Sequence, residues 1–241
     1  MIEKTRGIIL NQIKYTDSGI VARMYTRNFG RKSFLIKGMR SRKKGKHNIL
    51  FQPMFILDLV MYYKASREMQ IIKEFSVPFA PYNIHSNIKK SSVALFLGEV
   101  LTTVLKEESP HEEMFDYIEE SIIYFDGCMD GYANFHIAFL AGLSSYLGFE
   151  PGPRTDAEHK FFDMTNGIFV AIPPVHGNYA NEEISGILAE FFVTSYDSIS
   201  KIALTGTQRN EVLEDLVRYY SLHLPGLKKI NSLEVLKEVF S

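Results

Sequence analysis

Between residues 5 and 75 apolar and polar positions alternate with a period of two, whereas beyond residue 86 the apolar positions recur at intervals of three and four. The alternation predicts five strands, at 5–15, 19–27, 31–37, 54–63 and 68–75. Turn chemistry separates them. Thr16-Asp17-Ser18-Gly19 closes the first pair, and Asn28-Phe29-Gly30 makes a three-residue hairpin connection in which glycine takes positive φ. Gln52-Pro53 precedes the fourth strand, and 64–67 turns into the fifth. In the second strand Ile20, Ala22 and Met24 share one face, with Val21, Arg23, Tyr25 and Arg27 on the other. In the fourth, Phe55, Leu57, Leu59, Met61 and Tyr63 line a single face. Five short strands with a longer connection between the third and fourth suit a Greek-key barrel of the OB type; an SH3-like barrel is the competitor from pattern alone.

Pro78 and Pro81 interrupt this pattern, and helices are predicted at 87–106, 112–125, 132–147, 182–194 and 207–222. A short terminal helix has Asn231 at its N-cap and Glu234 three residues on. The 87–106 helix is apolar on most sides and is expected at the centre of a second, helical domain. A small hairpin is expected from 160–164 and 168–171 across Thr165-Asn166-Gly167. The fold class is therefore α+β in two domains: a five-stranded barrel at 1–77, then a mainly helical domain with one hairpin at 78–241.

Charge adds a direction to this picture. The net charge of −1 conceals 16 Lys and Arg against 5 Asp and Glu in residues 1–75, and 11 against 23 in the remainder. A basic head of +11 on an acidic body of −12 points to a polyanion as partner of the first domain. The cations concentrate from Arg31 to Lys46, where eight Lys or Arg stand with no acid. Such a run repels itself unless an anion lies against it, although a solvated loop is the commoner fate of a charge run. The set expected to contact a nucleic acid, from strands two and three and this run, is Arg23, Arg27, Arg31, Lys32, Lys37, Arg40, Arg42, Lys43, Lys44 and Lys46 for phosphates, with Tyr25 as the stacking ring.

Catalytic chemistry is not legible. His111-Glu112-Glu113 starts as a zinc-protease motif, but Phe115 stands where the second histidine belongs. Gly38 and Gly45-Lys46 are spaced wrongly for a phosphate loop, with His47 in place of the hydroxyl residue. The seven histidines lack ligand spacing, no GxSxG elbow occurs, and Asp58, Glu68 and Glu74 are too dispersed for a two-metal nuclease. The expectation is a non-enzyme without cofactor or metal. Cys128 is the only cysteine, which fits a reducing compartment, and neither a signal h-region nor a run of about 18 apolar residues is present, so a cytoplasmic protein outside the membrane is expected.

The order Gly7-Ile8-Ile9-Leu10, Tyr15-Thr16-Asp17-Ser18-Gly19-Ile20-Val21, Tyr25-Thr26, Gly30-Arg31, Lys37-Gly38-Met39-Arg40 and Gln52-Pro53-Met54 resembles the N-terminal half of the RecO family of bacterial recombination mediators. Tyr146-Leu147-Gly148-Phe149-Glu150-Pro151, leading into a hairpin, extends the resemblance over nearly the whole chain. The resemblance implies an N-terminal OB-fold, a helical C-terminal domain and a non-catalytic, nucleoid-associated role. It implies binding of single- and double-stranded DNA, strand annealing, contact with the SSB C-terminal tail and with RecR, and help in loading RecA. For the SSB tail, Lys89, Lys90, Arg154 and Arg218 are candidate cations. One departure is plain: many members carry a four-cysteine zinc knuckle where this chain has 152–170 without a cysteine, and packing of Phe161, Phe162, Ile168 and Phe169 is expected in its place. An RNA-binding OB accessory protein and an unrecognised nuclease are the readings from other classes.

Overall fold

The computed structural model describes residues 1–16, 19–37, 50–105, 109–227 and 229–240, with Lys37 described in its backbone only. By packing, the chain divides into two compact units, Met1–Asp126 and Gly127–Ser241.

The first unit holds a closed barrel of β1 (Ile2–Thr16), β2 (Gly19–Thr26), β3 (Gly30–Lys37), β4 (Ile56–Tyr62) and β5 (Met69–Phe79). The order β1-β2-β3-β5-β4, with β1 returning to β4 and a parallel contact between β3 and β5, is the OB arrangement. Period two decides which side chains fill it. Ile9, Ala22, Met24, Phe34, Leu57, Leu59 and Met61 form the interior, joined by Phe51 and Phe55. β5 runs past Pro78, where the sequence pattern predicts a break. Ile56 pairs with Phe79 and Asp58 with Ser76, so β5 carries one extra residue there, and a bulge accommodates a residue that has no N–H to donate.

Three helices belong to this unit: α1 (Tyr82–Ser86), not foreseen from the sequence, α2 (Ile88–Val104) and α3 (Glu112–Gly127). Asn87 caps α2, its side-chain oxygen accepting from the N–H groups of Lys89 at 2.9 Å and Lys90 at 3.2 Å. By packing, α2 lies in the same compact unit as the barrel. Gly98 brings the helix against β1 so closely that an added methyl would overlap the Leu10 carbonyl oxygen and press on Pro53. Gly98→Ala is thus expected to destabilise the protein by about 1–2 kcal/mol despite the better helix propensity of alanine. Urea unfolding of the full chain checks this, and an unchanged or higher midpoint would show that the helix can back away without loss.

The second unit contains α4 (Phe135–Tyr146), the strands β6 (Phe161–Asp163), β7 (Ile168–Val170) and β8 (Tyr179–Ala180), and α5 (Glu182–Val193), α6 (Gly206–His223) and α7 (Ser232–Phe240). The expected hairpin is present, with Gly167 at φ 67° in its turn, and β8 adds to β6 as a third strand. Asn181 and Thr205 cap α5 and α6, the latter in a reciprocal box with Gln208. The predicted 132–147 helix begins as a 3-10 turn at Tyr132–Asn134.

The packing expected in place of a zinc knuckle is only half present. Phe162 and Phe169 are register partners on the buried face, with ring centroids 5.0 Å apart. Phe192 and Tyr219 complete their cluster, each 5.2 Å from Phe162. Ile168 lies on the opposite face, 47% exposed, and Phe161 meets Tyr179 edge-on. Zinc does not fit the residues present. Residues 152–170 supply no thiol, the Asp163 carboxylate is engaged with Thr165, Asn166 and His176, and no group of three or more His, Cys, Asp or Glu is arranged to hold a metal among the described residues.

Candidate nucleic-acid interface

The sequence pattern puts cations and a stacking ring on the outward face of β2 and β3. In antiparallel register Arg23 lies opposite Ser33 and Tyr25 opposite Arg31, so these residues do share one face. Much of that face, however, is covered by α2 and α3.

Tyr25 is 1% exposed. Its hydroxyl donates to the His111 carbonyl at 3.4 Å, and its ring lies 6.0 Å from Phe115 in α3. Burial pushes the phenol up to about 12. The expectation that Tyr25 stacks on a base is therefore corrected, because no face of the ring is open to one. Arg27 is committed as well: its guanidinium donates twice to Asp116, at 2.5 and 3.0 Å, with Glu112 3.7 Å away and Phe115 beneath it at 5.7 Å. Arg31 donates to the Thr102 carbonyl at 3.0 Å, in the last turn of α2, where the helix dipole favours a cation. Lys32 lies on the inward face, in register with Met24, 8% exposed and with Nζ 6.0 Å from the Tyr63 ring. Arg23 is half-buried, between Asn11 and Ser33. Lys37 ends β3, pairing with Gly19 through its backbone. Its side chain and Arg40, Arg42, Lys43, Lys44 and Lys46 lie outside the described residues.

The acids that neutralise the strand cations have a signal in the sequence. Glu112, Asp116 and Glu119 are spaced i, i+4 and i+7, which puts three carboxylates on one face of a helix. That face meets the barrel: Asp116 takes Arg27, and Glu119 takes Arg6 at 3.0 Å, while Asp58, in register with Arg6 on β4, holds the same guanidinium at 2.8 Å. Part of the charge asymmetry between the two halves is thus satisfied internally.

The four cations considered for an acidic peptide tail separate likewise. Lys90 is buried, and its Nζ donates to the carbonyls of Phe125 at 2.8 Å and Asp126 at 3.0 Å, closing the C-terminal end of α3. Arg218 donates to the Gly177 carbonyl and to Asn178. Arg154 donates to the Ala157 carbonyl at 3.3 Å, while its Nε is buried without a hydrogen-bond partner. Lys89 is exposed on the first turn of α2.

A closed OB barrel whose third strand runs into an acid-free cationic segment, followed by helices and a small sheet, defines the oligonucleotide-barrel class of proteins with a helical extension. The chain matches the family description "Recombination protein O N terminal" over residues 1–78 and "Recombination protein O C terminal" over residues 85–234. It is 36% identical over 248 residues to the DNA repair protein RecO of Phocaeicola vulgatus and 34% identical over 248 residues to that of Bacteroides fragilis, each comparison covering 100% of both chains. The DNA repair protein RecO of Flavobacterium psychrophilum is 34% identical over 240 residues, with 99% of each chain covered. The chain belongs to the RecO family.

Proposed function

We propose that this protein is a non-catalytic recombination mediator in DNA repair: it binds single- and double-stranded DNA, anneals complementary strands, and with RecR helps RecA load onto SSB-coated DNA at the nucleoid. The observation that carries the reading is the run from Lys37 to Lys46, six cations without an acid, following β3 of a closed OB barrel in a chain related throughout its length to DNA repair proteins. Residues 1–77 carry the DNA and 78–241 the protein partners.

Charge balance refines the site. Arg27, Arg31 and Lys32 serve the fold, so the phosphates fall to Arg23, Lys37, Arg40, Arg42, Lys43, Lys44 and Lys46. Contacts of this kind neutralise the backbone without reading bases, as a protein acting on any damaged sequence requires. By lowering the mutual repulsion of two strands, the same cations favour annealing.

Anisotropy titrations of a labelled single-stranded DNA at several salt concentrations test this. Replacing Arg40, Arg42, Lys43 and Lys44 with Ala is expected to weaken binding and to flatten the plot of log K against log salt by about 0.7 for each phosphate that is no longer neutralised. Identical curves for the two proteins would remove the segment from the DNA site, and a preference for RNA of equal length would favour the RNA-binding reading.

A further inference from the structure

The first unit has a cleft of about 430 Å³ between β1, the Gln52-Pro53 turn and α2, lined among others by Asn11, Gln12, His85 and Leu95. Three features make it unlike ordinary surface. First, the side-chain oxygens Asn11 Oδ1 and Gln12 Oε1 are buried without a hydrogen-bond partner, a state that costs free energy until a donor arrives. Second, α2 exposes two apolar side chains on this side: Leu95, in the cleft lining, is 56% exposed, and Ile88, two turns earlier, 77% exposed. Third, β1 leaves its partner here. Pairing with β4 ends at Ile8 and Ile56, the Ile9 N–H still donates to Phe55, and beyond that no strand flanks this side of Asn11, Gln12 and Ile13 among the described residues.

The lining also says what does not bind. Among the described residues no charged side chain lines the cleft, and His85, stacked on Phe55 and in contact with the Pro53 carbonyl, is held by burial below its ordinary pKa. Among these lining residues neither the phosphates of a nucleic acid nor the carboxylates of an acidic tail find a cation. What fits is a group that supplies N–H donors beside an apolar side chain and carries no charge, which is the chemistry of an extended peptide backbone. We propose that this cleft is a docking site for a neutral, apolar peptide segment of another protein, laid along the open edge of β1 with one aliphatic or aromatic side chain between His85 and Leu95. Backbone N–H groups of the segment satisfy Asn11 and Gln12, and Leu95, with Ile88 beyond it, covers its apolar flank.

The test uses a phage-displayed library of neutral heptapeptides selected on the immobilised full-length protein. Wild type, and Val193→Asp as a control at an exposed apolar position elsewhere, are expected to enrich one apolar consensus. Leu95→Asp, an exposed change that leaves the fold intact by circular dichroism, is expected to reduce its recovery about ten-fold or more. Asn11→Ala, which removes an atom that bonds to nothing, should weaken the synthetic consensus peptide in a fluorescence titration. Affinity for single-stranded DNA should be the same in all four proteins, which separates this site from the basic segment. Failure to enrich a consensus, equal recovery on Leu95→Asp, or displacement of the peptide by twenty-residue oligodeoxyadenylate would overturn the proposal, the last pointing to a nucleobase pocket.

Discussion

Phe162→Ala is expected to destabilise the protein by about 3–5 kcal/mol, as complete truncation of a core aromatic does. The ring is fully buried and touches three others, Phe169, Phe192 and Tyr219, drawn from β7, α5 and α6. Its own N–H is fixed by the Ser185 hydroxyl at 2.8 Å, so the backbone is not free to move in and fill the space. The hairpin neighbour Ile168, on the exposed face, supplies the comparison: Ile168→Ala should stay within about 0.5 kcal/mol of wild type. Urea unfolding followed by far-ultraviolet circular dichroism measures both. If the two variants unfolded alike, the aromatic cluster would not be what holds this sheet to its helices.

Acid is expected to weaken the protein through His136. This side chain lies in α4, fully buried, with its ring 5.7 Å from Phe240, and burial followed by the charge of Arg209 depresses it to about 3. A histidine depressed in the folded state contributes its full stability above the unfolded value of 6.5. That contribution is lost as pH falls from there toward 3, because the unfolded chain takes up the proton first. By pH 5 the loss is about 2 kcal/mol. Asp215 works in the opposite sense. Burial raises it to about 6, so its ionisation removes stability as pH rises through the range from 3.8 to 6. The clean measurement is therefore the difference between wild type and His136→Gln in unfolding free energy at pH 7.5, 6 and 5. That difference should move by about 2 kcal/mol against wild type as the pH is lowered. Parallel curves would mean that His136 titrates normally.

Local pattern carried much of this architecture. The five strands were legible because side chains alternate on a pleat, and the longer helices because apolar positions recur at three and four. β8 was missed because two residues are too few for a period, and α1 because Pro81 and Asn87 bracket only one helical turn. The site was less legible than the fold. Alternation put Arg23, Tyr25 and Arg27 on one face of the second strand, but it carries no information about which distant helix covers that face. The acid spacing in α3 held that information, and only with the register between β2 and the helix in hand does it show that Arg27 belongs to Asp116.

The way the barrel closes also bears on how it is made. β1 hydrogen-bonds to β2 on one side and to β4 on the other, and α2 then rests on it through Gly98. β1 precedes the other barrel strands in the chain yet is among the last of them to have its backbone satisfied, since half of its partners lie some 50 residues later. Contacts of that separation slow folding, because the intervening loop must lose its entropy before any pairing compensates for it. Until β4 has emerged, Ile8, Ile9 and Leu10 form an apolar segment on an open strand edge, so the growing chain is exposed to aggregation there.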